Sequence, residues 1–119
     1  MNGMDLKSRT KQFSLRTIRM YSKLKRSDIV AQVLGKQVLR SATSIGANYR
    51  EASRGRSKAE FISKIGDCLK ETEEAEYWFE LLVDGGCVPA AKMTNLLDEA
   101  RQLIAIFTTI DKKAKNEKD

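Results

Sequence analysis

Apolar and polar residues alternate along the chain with helical period throughout. From about Ser8 to Leu24, the residues Leu6, Phe13, Met20 and Leu24 return to one face, with Ile18 and Tyr21 at its flank. The other face carries Arg9, Lys11, Arg16, Arg19 and Lys23. This predicts a first helix over about 8–24. After Lys25-Arg26, Ser27 is placed to cap a second helix and Asp28 suits its first turn. In that helix, over about 28–54, Leu34, Val38, Ala42, Ile45, Tyr49 and Ala52 repeat every three or four residues. Gly55 suits the position after its end. Ser57-Lys58-Ala59-Glu60 then has the form of a capping box. The third helix, over 58–84, aligns Phe61, Ile65, Cys68, Thr72, Ala75, Phe79 and Leu82. Gly85-Gly86 stops it, and Pro89 suits the start of a fourth helix over about 89–114. There Met93, Leu96, Leu97, Ala100, Leu103, Ile104, Phe107 and Ile110 form the apolar stripe, and residues 115–119 read as a frayed tail. Four amphipathic helices joined by short turns imply a single all-α domain, an up-down-up-down four-helix bundle.

Two helices carry a further stripe that a solitary bundle does not need. On a helical wheel of helix two, Lys36, Arg40, Arg50 and Arg54 point away from the core stripe. Between the two runs Gln37, Ser41, Ser44 and Asn48, a line of small and hydrogen-bonding residues. Gly46 sits among them, in mid-helix, where an exposed glycine costs about 0.5–1 kcal/mol relative to alanine. Close packing explains it better than water does. Helix three has a second row as well: Asp67, Glu71, Glu74, Trp78 and Leu81. A carboxylate row ending in the only tryptophan suits an interface, where large aromatics concentrate. The two rows suit each other, so the expectation is a contact between copies that closes into a ring or runs on as a filament. The competing reading is a solvated face with i,i+4 pairs and a tryptophan that caps the core.

Charge sharpens this picture. The chain of 119 residues has a net charge of +6. Residues 1–56 hold thirteen Lys/Arg against three Asp/Glu, and residues 57–119 hold nine against thirteen, so one half is +10 and the other −4. Such asymmetry points to an anionic partner or to self-association of complementary faces. The candidate phosphate-contacting residues are Arg9, Lys11, Arg16, Arg19, Lys23, Lys36, Arg40, Arg50, Arg54 and Arg56. No aromatic residues interleave with them, so recognition by charge and shape is expected rather than base stacking.

Catalytic chemistry finds little to stand on. There is no histidine, the commonest general base and metal ligand. Glu71 and Glu74 have E-x-x-E spacing, but bundle di-metal sites use Glu-x-x-His. Cys68 and Cys87 read as reduced packing residues. No phosphate loop is present, because Gly85-Gly86 lacks a following Lys-Ser/Thr. The expectation is a non-enzymatic protein with no cofactor. With no uncharged apolar run of membrane-spanning length and no apolar signal core at its start, it is expected in the cytoplasm.

The residues Gln37, Arg40-Ser41, Ser44 to Glu51 (SIGANYRE), Arg54, Arg56-Ser57-Lys58, Phe61, Lys70-Glu71, Glu74, Tyr77-Trp78 and Leu81-Leu82 resemble a bacterial four-helix-bundle family. That family includes the proteins encoded in intervening sequences of 23S ribosomal RNA genes, and the similarity covers nearly the whole chain. The resemblance implies a left-handed bundle assembled as a ring, typically a homopentamer. It also implies a distant relation to the accessory variability protein of diversity-generating retroelements, a basic pentamer that binds nucleic acid and a reverse transcriptase. No established activity comes with this branch. Ala75-Glu76 and Gly66-Asp67-Cys68 depart from the family pattern. The functional expectation is a scaffold for structured RNA. The alternative is a protein-interaction adaptor whose charged rows serve self-assembly and docking of a partner such as a reverse transcriptase.

Overall fold

The structure is a computed structural model that describes residues 5–117. Four helices follow in order: α1 (Leu6–Ser22), α2 (Ile29–Ser53), α3 (Lys58–Asp84) and α4 (Ala90–Asn116). They form a rod of 53 × 24 × 21 Å. Contacts between sequence-distant residues fix the topology. Ser14 meets Ala42, Cys68 meets Ile45, Arg101 meets Glu76, and Arg9 meets Glu99. Each helix therefore runs antiparallel to the one before it, and α4 returns beside α1.

Three helix starts are capped by side chains. Asp5 accepts from the N–H of Ser8, Asp28 from Ala31 and Ser57 from Glu60. Asp28 therefore takes the capping role expected of Ser27. Glu60 completes its capping box one residue early, accepting from the N–H of Arg56 at 3.1 Å. Pro89 precedes α4, and no side chain caps that helix. The last turn of α4 is helical through Asn116, where Lys115 pairs with Asp111 at 2.9 Å. The frayed tail expected from residue 115 thus begins no earlier than residue 117, and residues 118–119 lie outside the described region.

The core follows the apolar stripes and then exceeds them. Phe13, Val38, Ala42, Ile45, Ile65, Cys68, Ala75, Phe79, Leu82, Met93, Leu103 and Phe107 are all buried. Phe13 and Phe79 meet edge to face, with ring centroids 6.0 Å apart. Thr72 is buried on the α3 stripe as expected; Thr10, Thr17 and Ser41, which lie on none of the expected core stripes, are buried as well. Each threonine hydroxyl donates to a carbonyl one turn back in its own helix: Thr10 to Leu6, Thr17 to Phe13 and Thr72 to Cys68. The helix thereby satisfies the polar atom and leaves the methyl to pack. Ile18, expected at the flank of the α1 core, is instead 45% exposed.

Gly46 lies where α2 crosses α1. A Cβ there would stand 3.3 Å from Thr10 Oγ1 and 3.6 Å from Thr10 Cβ. The close approach expected between copies is therefore made within the chain. The missing side chain lets α1 seat its buried threonine against α2.

Candidate nucleic-acid interface

Two of the ten expected phosphate-contacting residues are engaged inside the bundle. Arg9 reaches across to α4 and donates to both carboxylate oxygens of Glu99, at 2.7 and 2.9 Å, and to Gln102 at 2.6 Å. Both side chains of the ion pair are largely covered, and the Glu99 hydrogen bond holds the Arg9 pKa above its ordinary value. Arg9 is thus a clamp between the first and last helices. Arg40 bridges α2 to α3, within 3.0 Å of Glu74 and 3.5 Å of Glu71. The bridge changes the reading of the two extra stripes. The acidic row of α3 and the polar seam of α2 flank the same groove of one chain. Ser41 is buried there with its hydroxyl oxygen 3.5 Å from Glu74. The charge complementarity expected between copies is met intramolecularly, at least through Arg40, Ser41, Glu71 and Glu74.

The rest of the two rows keeps some surface. Gln37 is exposed; Ser44, Asn48, Asp67, Trp78 and Leu81 are half-buried. Ser44 donates to the Arg40 carbonyl at 2.7 Å. Trp78 stacks at a tilt against Tyr77, with centroids 5.3 Å apart, and its buried indole N–H has no acceptor. One Glu71 oxygen is buried without a hydrogen-bond donor, because Arg40 approaches it as an ion pair and not in hydrogen-bond geometry. Val30 and Val33 extend the Gln37–Ser44–Asn48 stripe toward the start of α2, with Ile29 flanking them on the Lys36 side, and Ile29, Val30 and Val33 are 78%, 56% and 56% exposed. They were legible as apolar residues outside the core stripe of α2.

The remaining cations separate into groups by position. Arg16, Arg19 and Lys23 lie on the flank of α1 that faces α4, where they line a cleft together with Lys92. Lys11 projects from another side of α1, and Lys36 stands on the outer face of α2. Arg50, Arg54 and Arg56 cluster at the far end, around the turn from α2 to α3. None of these residues forms an ion pair among the described residues, although Arg54 acts on Glu51, whose pKa is lowered chiefly by Lys64. The level of Lys23 and the level of Arg54 are about 30 Å apart along the rod, from the helical rise. A ligand touching both ends must be extended.

Lys92 was not foreseen. It lies nearly 70 residues from Lys23 in sequence, and no local spacing signals the meeting. Among the described residues, no group of three or more His, Cys, Asp or Glu side chains is placed to hold a metal ion. None of the described helices is long and apolar enough to cross a membrane.

The family described as 23S rRNA-intervening sequence protein matches residues 3–109. The chain belongs to this family. Its fold is similar to that of a protein of unknown function from the S23 ribosomal protein family of Bacteroides thetaiotaomicron, at 34% identity and a TM-score of 0.84. That similarity covers 91% of this chain and 99% of the other. No curated protein matches the chain.

Proposed function

We propose that this member of the 23S rRNA-intervening sequence protein family is a non-enzymatic scaffold for structured RNA, working in the cytoplasm. The observation that carries this reading is the division of its cations. Arg9, Arg40 and Arg101 are held by carboxylates at helix crossings. Arg16, Arg19, Lys23, Lys36, Arg50 and Arg56 have no such partner among the described residues: the first three line the cleft between α1 and α4, Lys36 stands on the outer face of α2, and Arg50 and Arg56 sit at the far end of the rod. Lysine and arginine on phosphates supply affinity without sequence preference. The separation of about 30 Å favours a folded, extended RNA over a short strand.

The scaffold assembles as a ring of left-handed bundles, five being the number the family resemblance favours. The assembly face is the α2 stripe that starts at Val30 and Val33, flanked by Ile29, and continues through Gln37, Ser44 and Asn48, with Tyr77 and Trp78 of α3 beside it. Three exposed aliphatics in the first two turns of a helix are unfavourable unless covered. Those same aliphatics favour a second reading, an adaptor that docks a partner protein, such as a reverse transcriptase, on this face. The two readings differ in what salt does. RNA affinity measured across a salt series should weaken steeply as salt rises, the mark of counterion release. No RNA binding below about 50 mM salt rejects the scaffold reading.

A further inference from the structure

A cleft of about 600 Å³ opens between the second half of α1 and the start of α4. That volume is within the range of about 300–1,000 Å³ typical of small-molecule sites. It forms because α1 and α4 touch over little of their length, clamped near Arg9 and Glu99 and apart at the other end. Arg16, Arg19 and Lys23 enter it from one wall and Lys92 from the other, and no carboxylate lines it. Elsewhere in this bundle, arginines that reach a neighbouring helix meet a glutamate. Here four like charges face one concavity with no carboxylate in its lining, although Asp28 lies near enough to act on Cys87, and a concave wall concentrates their field.

Two further features narrow the ligand. Ala91 and Lys92, in the first turn of α4, line the cleft, and no side chain caps that turn. The Lys92 N–H is taken by the Pro89 carbonyl at 3.0 Å, so the N–H groups of Ala90 and Ala91 and the positive end of the helix dipole are what this turn adds to the attraction for an anion. The floor, however, is apolar: Met20, Leu24, Val88, Pro89 and Leu96. A bare inorganic anion would leave that floor uncovered. Asn95 at the wall offers both a donor and an acceptor to a heterocycle edge. The occupant therefore carries a multiply charged anionic group on a compact body that is partly apolar.

We propose that this cleft binds a nucleoside 5′-monophosphate, either free or as the phosphorylated 5′ end of an RNA strand. The terminal monoester, with a charge of about −1.5 to −2, sits among Arg16, Arg19, Lys23 and Lys92. The nucleoside lies over Met20 and Val88. This rests on reading α1 as a phosphate-facing surface, but Lys92 and Cys87 belong to the cleft and not to that wider surface, so the two can be tested apart.

Cys87 lines the cleft and is half-buried, whereas Cys68 is fully buried, so a neutral alkylating reagent such as iodoacetamide reports on Cys87 in the folded protein. The probes are AMP, adenosine, inorganic phosphate, and one short RNA bearing either a 5′-phosphate or a 5′-hydroxyl. AMP should bind in calorimetry and slow Cys87 alkylation saturably, and adenosine should do neither. Lys92→Glu, an exposed change that suits a helix first turn, should weaken AMP binding by about tenfold or more. Affinity for a long 5′-hydroxyl RNA hairpin should fall much less, because its phosphates also meet cations outside the cleft, such as Lys36, Arg50 and Arg56. Tighter binding of the 5′-phosphorylated RNA than of AMP assigns the site to RNA ends; equal or weaker binding assigns it to the free nucleotide. The proposal is overturned if AMP and the 5′-phosphorylated RNA bind no better than their unphosphorylated counterparts. It is also overturned if inorganic phosphate binds as tightly as AMP. Loss of hairpin binding in the wild type alone would reject the scaffold reading and leave the AMP result standing.

Discussion

Replacing Gly46 separates packing within the chain from packing between copies. In the structure its missing side chain faces Thr10 of α1, with an ideal Cβ 3.3 Å from the hydroxyl oxygen, 3.6 Å from Cβ and 3.8 Å from the carbonyl carbon. One methyl fits if Thr10 yields by a few tenths of an ångström. Gly46→Ala also gains about 1 kcal/mol of helix propensity, so its stability should stay within about 0.5 kcal/mol of the wild type. Leucine adds three more carbons beyond that Cβ, directed at a helix whose own backbone is already in contact. Overpacking of this kind costs typically 1–3 kcal/mol. Backbone displacement of α1 places Gly46→Leu at the upper end, so that after the gain in propensity it should lose about 2 kcal/mol. For a chain of this size that lowers Tm by roughly 8 °C. Circular dichroism during urea and thermal unfolding measures the loss, and sedimentation at matched concentration measures the assembly. If Gly46→Leu keeps its stability but dissociates an oligomer, Gly46 belongs to a subunit interface and the assignment to the α1–α2 contact is wrong.

Other outcomes follow from named contacts. Arg9→Ala and Glu99→Ala should each destabilise the bundle, and the double-mutant cycle should return a coupling of about 1–2 kcal/mol, between the values of exposed and buried pairs; coupling near zero would remove the clamp. Burial pushes the Cys68 thiol up to about 12, so below the ordinary thiol range it adds no pH dependence. As pH rises above about 9, the unfolded chain ionises this thiol while the folded one does not. Wild-type stability should then fall relative to Cys68→Ala by at most about 1.4 kcal/mol per pH unit, measured by urea unfolding between pH 8 and pH 11 on the Cys87→Ser background. The proposed ring should sediment as an oligomer in analytical ultracentrifugation, and Ile29→Glu with Val33→Glu should reduce it to single chains while leaving Tm nearly unchanged, because both positions are exposed in the single chain.

The helices and most of the core were legible because hydrophobic periodicity reports one buried face per helix. The α3 stripe from Ile65 to Leu82 is buried residue for residue. Thr10, Thr17 and Ser41 were not legible, since a hydroxyl bonded to its own helix or tucked beside a carboxylate looks polar in sequence and packs as a small residue. The pairing of Arg9 with Glu99 was hidden for a different reason: 90 residues separate them, and only the return of α4 to α1 joins them. The same return creates the cleft around Lys92. The two extra stripes were recognised as special, but a helical wheel gives the direction of a stripe and not the identity of what it meets. Arg40 and Glu74 meet inside one chain. The exposed run at Ile29, Val30 and Val33 falls outside the core period of α2, so hydrophobic periodicity does not mark it.

The central claim is that the unpaired cations, and not the paired ones, hold RNA. The direct test is the affinity of the intact protein for one folded RNA across a salt series, comparing Arg16→Ala/Arg19→Ala/Lys23→Ala with Arg9→Ala/Arg40→Ala. Each lost phosphate contact reduces the slope of log affinity against log salt by about 0.9 on a duplex. The account predicts a much shallower slope and weaker binding for the first variant, and an unchanged slope for the second, even though the second is the less stable protein. Equal slopes for the wild type and both variants, or a loss confined to the Arg9/Arg40 variant, would contradict it.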